Sequence, residues 1–235
     1  MVSSSAGRYP CCRLLACGLL SACLALPATA AGVPEDHGAW LESDEDLQGL
    51  AVNEGALEFL TEPPGGRVLH TSNWLTISAA SLMSGWVELR QCQGNLDPVD
   101  RVEIVYQYRS MRNLRVLSSK GIGSARIVDD VVQMTQVRAD AEVCVAAEVQ
   151  VLRQAGEGRF LLQSGPFHRR FLDGYYPVRL DYRVEYPSGL LVVESIQPAA
   201  RPGFDVKTDA DGLRIEALFE GRLTIRLVVR RGGAI

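Results

Sequence analysis

An all-β fold, an antiparallel β-sandwich without substantial helix, is what this sequence predicts, and three observations carry the prediction. From Val178 to Tyr186 the even positions are Val, Leu, Tyr, Val and Tyr, and the odd positions are Arg, Asp, Arg and Glu. Such strict alternation is the mark of a strand with one face buried and one face wet. The pattern returns twice near the C-terminus, as Leu213, Ile215, Ala217 and Phe219, then as Leu223, Ile225, Leu227 and Val229 after Gly221. Third, no apolar set recurs at helical spacing over ten or more residues, while Gly, Pro and Asp punctuate the chain every 8–12 residues or so, as in a sandwich.

The N-terminus has a different character. Arg8 and Arg13 precede an apolar run from Leu14 to Leu26, followed by Pro27 and Ala28-Thr29-Ala30. This is the layout of a secretory signal peptide over residues 1–30, cleaved near Ala30. The run is shorter than the roughly 20 residues a membrane-spanning helix needs. An alternative lies within it: Leu20-Ser21-Ala22-Cys23 has the form of a lipobox, in which Cys23 carries lipid and becomes the mature N-terminus. The expected location is therefore periplasmic or secreted, with a membrane anchor only through a lipidated Cys23.

Removing that leader changes the cysteine and charge accounts. Cys11, Cys12, Cys17 and Cys23 leave with it, so Cys92 and Cys144 remain, and two cysteines in an exported chain predict one disulfide. Two buried free thiols are the competing reading. Of 24 bases, Arg8 and Arg13 are lost against 28 acids retained, which takes the net charge from −4 to −6. The excess acid sits in residues 31–50, an acidic leader carrying Glu35, Asp36, Glu42, Asp44, Glu45 and Asp46 without a base before Leu47. Its short, polar, unperiodic composition reads as a solvated tail. A balance this mildly acidic predicts no nucleic-acid partner.

Beyond the tail, Leu57–Leu60 reads as a short strand stopped by Pro63-Pro64-Gly65-Gly66. Val68–Ser78 is β-branched and aromatic enough for a strand, and Ala79–Ser84 for one helical turn or a loop. Trp86–Cys92 is the next strand, and Val102, Ile104, Tyr106 and Tyr108 alternate with polar residues in another. Leu114–Ser119 follows, interrupted by Gly121 and Gly123. Ala125–Val128 and Val131–Gln136 flank Asp129-Asp130, a hairpin turn. Val143 to Val151 is a long strand with Cys144 on its polar side. If the two cysteines bond, this strand and Trp86–Cys92 are neighbours, because Cα atoms beyond about 7 Å cannot be bridged. Gly156-Glu157-Gly158 is the best candidate for a boundary, dividing the chain into a unit over 51–155 holding the disulfide and a unit over 156–235. Phe160–Gln163 is a short strand and Ser164–Tyr176 a turn-rich connection. In the C-terminal run, a loop of Glu220 to Arg222 predicts a hairpin with Glu216 opposite Arg226.

Two runs, LDYRVEYPSGLLVVESIQPAARPGF from Leu180 and GLRIEALFEGRLTIRLVVRR from Gly212, resemble bacterial cohesin-like and immunoglobulin-like sandwich modules across residues 178–230. The likeness lies in a strand ending at a Tyr-Pro-Ser turn, a following strand of alternating Val and Leu, and a closing hairpin. It implies that both units are immunoglobulin-like and that the protein binds rather than catalyses, although fold alone assigns no function.

The search for chemistry is mostly negative. His37, His70 and His168 are isolated, and neither an HExxH spacing nor a GxSxG elbow occurs. Gly121-x-Gly123 lacks the third glycine and the helix of a phosphate cradle. Asp205, Asp209 and Asp211 with Gly212 have the oxygen density of a calcium loop without its distal glutamate, so the Asp-Gly pair reads as a turn. Trp74 and Trp86 lie within strands and are expected in the core; flat indoles otherwise suit sugar stacking. The strongest surface candidate is FHRRFLDGYY, in which Phe167, Arg169, Arg170, Phe171, Tyr175 and Tyr176 combine the residue types enriched at binding hot spots. These observations predict no catalytic residue, no metal ligand and no cofactor. They point to an exported binding or accessory module for another envelope protein. A carboxylate-based enzyme acting on polysaccharide, or a carbohydrate- or metal-binding module, is the alternative.

Overall fold

A computed structural model describes residues 53–233; the signal peptide, the Cys23 lipobox and the acidic leader lie outside the described residues. The described residues form one unit. Its strands are β1 (Glu58–Phe59), β2 (Leu69–Thr76), β3 (Trp86–Leu96), β4 (Val99–Val105), β5 (Met111–Val128), β6 (Val131–Gln150) and β7 (Leu152–Gln154). They continue as β8 (Arg159–Phe167), β9 (Arg169–Phe171), β10 (Gly174–Tyr176), β11 (Val178–Glu185), β12 (Leu191–Gln197), β13 (Phe204–Thr208), β14 (Gly212–Glu220) and β15 (Leu223–Arg231). The one described helix, α1, is the turn Ser81–Ser84.

The fold is the all-β sandwich expected. A nine-stranded sheet runs β1-β14-β11-β2-β3-β6-β4, with β13 also on β14 and β5 also on β6. A four-stranded sheet runs β12-β15-β8-β7, and β9 and β10 make a separate hairpin. The two larger sheets share one buried cluster. Val178, Leu180, Tyr182 and Val184 of β11 are all buried in it, as the alternation predicts. Tyr182 reaches the smaller sheet directly: its hydroxyl shares a 2.9 Å hydrogen bond with Ser164 of β8, and its ring lies 6.0 Å from Phe167. Each such apolar side chain contributes about 1.5–3 kcal/mol by leaving water. Burial of the Tyr182 hydroxyl pushes its pKa well up.

Two expectations about organisation are corrected. The division after residue 155 does not separate two units, because β11 pairs in parallel with β2 from Val178↔Leu69 to Glu185↔Thr76, so strands from both sides alternate within one sheet. A parallel neighbour is invisible to an alternation pattern, which reports burial and not pairing. The closing hairpin is also absent. β14 pairs with β11 and β13 in the large sheet, whereas β15 pairs with β8 and β12 in the small one. Glu216 therefore faces Asp181 and Asp205, and Arg226 faces Gln163 and Gln197. Both apolar sets point inward in either arrangement, so the sequence pattern is satisfied by a hairpin or by a crossing between sheets. Gly221 makes the crossing, with φ of 79° and its Cα packed so closely on the Ala56 carbonyl that a Cβ would collide with it.

The long β5–β6 hairpin turns at Asp129 (φ 48°) and Asp130 (φ 62°), the double positive φ of a type I′ turn. Gly121 does not end β5. It sits, with φ 69°, at a register shift between Lys120 and Ile122, while Gln136 (φ 52°) and Asp140 (φ 61°) mark the same level of β6. Asn95 (φ 59°) does so on β3, whose own register shifts between Gln93 and Leu96. A line of bulges thus crosses three strands and bends the distal ribbon of β4, β6 and β5.

Across the main sheet Cys92 and Cys144 are directly opposed and form the expected disulfide, with Cα atoms 4.1 Å apart. Trp74 and Trp86 do not enter the core. Asn73, Leu75, Val87 and Leu89 are the inward residues of β2 and β3, so both indoles take the outer face. There Arg90 covers Trp74 at 5.7 Å and Arg112 covers Trp86 at 4.2 Å.

Candidate ligand cleft

The inward face of β2 and β3 changes character along its length. Leu75, Val87 and Leu89 are buried and apolar, and then the same face carries Asn73, Gln91 and Thr71, also buried. A sandwich interior has no need of amides there, and each must find a partner. Gln91 Nε2 donates to Asn73 Oδ1 at 3.0 Å, and Gln93 Nε2 donates to Gln91 Oε1 at 3.4 Å. Asn73 Nδ2 is left without a partner among the described residues.

This ladder runs into a cleft of about 290 Å³ whose floor includes Thr71, Gln91, Gln93 and Met134. One wall is β4 and its continuation through Tyr108, and the other is Gly165 to Phe171. Tyr106 and Tyr108 stack with ring centroids 6.2 Å apart. Burial, and then the neighbouring Tyr108, push the Tyr106 phenol far up; burial does the same to Tyr108. Both stay neutral donors at any ordinary pH. The Tyr106 hydroxyl is buried without a partner among the described residues.

The expected aromatic and arginine residues gather at the second wall. What reads in sequence as a turn-rich connection is the end of β8 followed by the β9–β10 hairpin, which turns at Leu172-Asp173. Phe167 is buried against Tyr182 and belongs to the core as well as the wall. Arg169 is the anchor. Its Nη2 donates to both oxygens of Asp97 at 2.7 and 2.6 Å, its Nη1 to the Arg67 carbonyl at 3.2 Å, and its guanidinium lies 5.2 Å from Phe171 and 5.4 Å from Tyr176. Its Nε is buried without a partner among the described residues. Arg170 is exposed, stacks on Tyr175 at 5.6 Å and has no ion pair among the described residues. Phe171 and Leu172 form an exposed apolar tip.

So Phe167, Arg169, Arg170 and Phe171 line the cleft, while Tyr175 and Tyr176 stand behind it as the surfaces on which the arginines rest. His168 shares this wall, its Nδ1 3.3 Å from the Pro166 carbonyl oxygen. Burial holds its pKa below the usual histidine value, and Arg222 and Arg170 push the same way. Cys92, flanked by Gln91 and Gln93, points to the other face of the sheet, so the disulfide is behind the cleft. Thr71, Asn73, Gln91, Gln93, Asp97 and the Tyr106 and Tyr108 pair are not singled out by sequence reading. A signal exists for three of them: once Leu75 and Leu89 are inward, Thr71, Asn73 and Gln91 are polar residues at inward positions.

No family model matches the chain, and no curated protein matches it. Among solved structures, similarity is found to an M1 zinc metallopeptidase from Deinococcus radiodurans, at 14% identity and a TM-score of 0.36, over 76% of this chain and 43% of that one. A two-domain M1 zinc metallopeptidase mutant bound to L-tryptophan gives 14% identity and a TM-score of 0.35, over 76% and 44%. The chain spans less than half the length of these proteins. Superposition at this level bears on neither fold nor activity. Among the described residues no group of three or more His, Cys, Asp and Glu is placed to hold a metal ion.

Proposed function

We propose that the protein is an exported, non-catalytic binding module, an accessory to another envelope protein, and that a polar segment of that partner enters the cleft between β4 and Gly165–Phe171. The observation that carries this reading is the Tyr106 hydroxyl, buried and unpartnered among the described residues in a cleft floored by Gln91 and Gln93. An unanswered buried donor is costly in a sandwich core and useful in a binding site, where a ligand's carbonyl oxygen satisfies it. The flanking Arg170, Phe171 and stacked tyrosines supply the aromatic and cationic contacts that dominate interface energetics. The leader, with Arg8 and Arg13 before an apolar run, supports export. A volume of about 290 Å³ lies at the low end for ligand pockets, which suits one or two side chains of a larger partner better than a free cofactor.

Site-specific photo-crosslinking in the native envelope fraction tests the reading. A probe replacing Arg170 should give a discrete crosslinked product that Gln93→Leu abolishes. The same probe at exposed Glu157, beyond the opposite end of β8, should not. Equal products at both positions, or none at Arg170, would remove the cleft as the binding site.

A further inference from the structure

β4 is paired on one side only. Its ladder to β6 runs from Val99↔Val137 to Val105↔Val131, and no backbone hydrogen bond leaves its other edge among the described residues. An open edge of this length is a template for another strand unless charge, proline or a bulge guards it. The charges on β4 are Asp100, Arg101 and Glu103, all exposed. Arg101 has no ion partner among the described residues, and Glu103 is held by a 3.1 Å hydrogen bond from Gln133 of the neighbouring strand. At the end of the ribbon Val105, Val131 and Val128 form one cross-strand row, with Val105 61% and Val128 44% exposed.

We infer that β4 is a self-association edge, pairing antiparallel with β4 of a second copy about a two-fold axis through Val102. The argument is one of register. Opposed residues in an antiparallel pair share a face, so outward residues must meet outward residues and only even shifts are allowed. Centred on Val102, the pairing sets Arg101 of each copy opposite Glu103 of the other and Val99 opposite the exposed Val105. One step to a centre on Arg101 sets the two arginines against each other, and one step to a centre on Glu103 does the same with the glutamates. Opposite charges directly across a ladder stabilise it and like charges destabilise it, so a single register is selected by the sequence of the strand itself. The resulting interface is isologous and closed, which extends the sheet without leaving a new edge for a third copy. Because β4 is also one wall of the cleft, the pairing brings the two clefts to either side of the two-fold axis.

Sedimentation velocity on the protein expressed from the full-length sequence, over a dilution series, tests this. The expected result is a monomer–dimer equilibrium. Arg101→Glu and Glu103→Arg alone should each weaken it by at least about tenfold, since each sets like charges opposite in both symmetry-related positions. The double variant Arg101→Glu/Glu103→Arg should restore it. Urea unfolding of each variant checks that these exposed changes leave the fold intact. A protein monomeric at every concentration, a dimer that either single change leaves as tight as before, or a double variant no tighter than the singles would each overturn the inference. None of these outcomes depends on what the cleft binds.

Discussion

Asp97→Ala is the most informative single perturbation of the cleft. Asp97 accepts two charge-assisted hydrogen bonds from Arg169, whose side chain is 12% exposed, while Asp97 itself is 27% exposed. Breaking a fully buried ion pair costs about 3–5 kcal/mol, because the remaining charge is stranded. Here water reaches the carboxylate side, and Arg169 keeps the Arg67 carbonyl and the two rings. The expected loss is therefore at the lower end, about 2–3 kcal/mol, comparable with a net hydrogen bond to a charged group of about 1.5–3 kcal/mol. Asp97→Asn, which keeps the shape and one acceptor, should lose about half as much. The assay is equilibrium unfolding in urea, read as a shift in midpoint at constant slope. Combining Asp97→Ala with Arg169→Met in a double-mutant cycle should give a coupling energy of at least about 1 kcal/mol. If Asp97→Ala costs less than about 0.5 kcal/mol, the usual ceiling for a surface substitution, the pair does not hold the wall and the reasoning fails.

Four further outcomes follow from the same structure. Replacing both Cys92 and Cys144 by Ala should lower stability by about 4 kcal/mol on the chain-entropy estimate for a loop closed across 52 positions, measured by urea unfolding against the oxidised protein. Gly221→Ala should cost more than about 2 kcal/mol, because a Cβ there adds a positive-φ penalty to a backbone collision, and thermal unfolding reads the loss. His168 has a pKa depressed in the folded state, so the unfolded chain binds more protons in the window below the unperturbed value of about 6.5. Stability should hold above that pH and fall as pH drops through it, and His168→Gln should flatten the profile between pH 7 and 5. Glu148, whose carboxyl is held low first by Arg112 and Asn113, acts in a lower window, as pH falls below the ordinary glutamate range.

Much of the fold is legible in sequence because burial alone writes an alternating pattern. Val178–Tyr186, the Asp129-Asp130 turn and the Cys92–Cys144 neighbourhood can all be read without coordinates. Pairing is harder. Nothing in Leu69–Thr76 says that its neighbour is Val178–Glu185, and the two inward sets around Gly221 fit a hairpin as well as a crossing. The arginine and aromatic wall is visible through its composition, FHRRFLDGYY. Its opposite wall is hidden, because Tyr106 and Tyr108 look like ordinary strand residues until the bulges at Asn95, Gly121 and Gln136 bend the ribbon that carries them. The indoles mislead for a simpler reason. Size suggests interior, but parity decides, and Trp74 and Trp86 fall at even positions where the odd ones, with Asn73 and Val87, point inward.

The side-by-side course of β2 and β11 has a bearing on how the molecule is made. A nascent chain that has emerged only as far as Gln154 owns one flank of the main sheet but lacks the strand that closes beside Leu69–Thr76, so its apolar face stays open until the last third arrives. Pairings so distant along the chain close slowly and leave sticky intermediates in the meantime. For the experimenter this means that neither half can be excised and studied by itself.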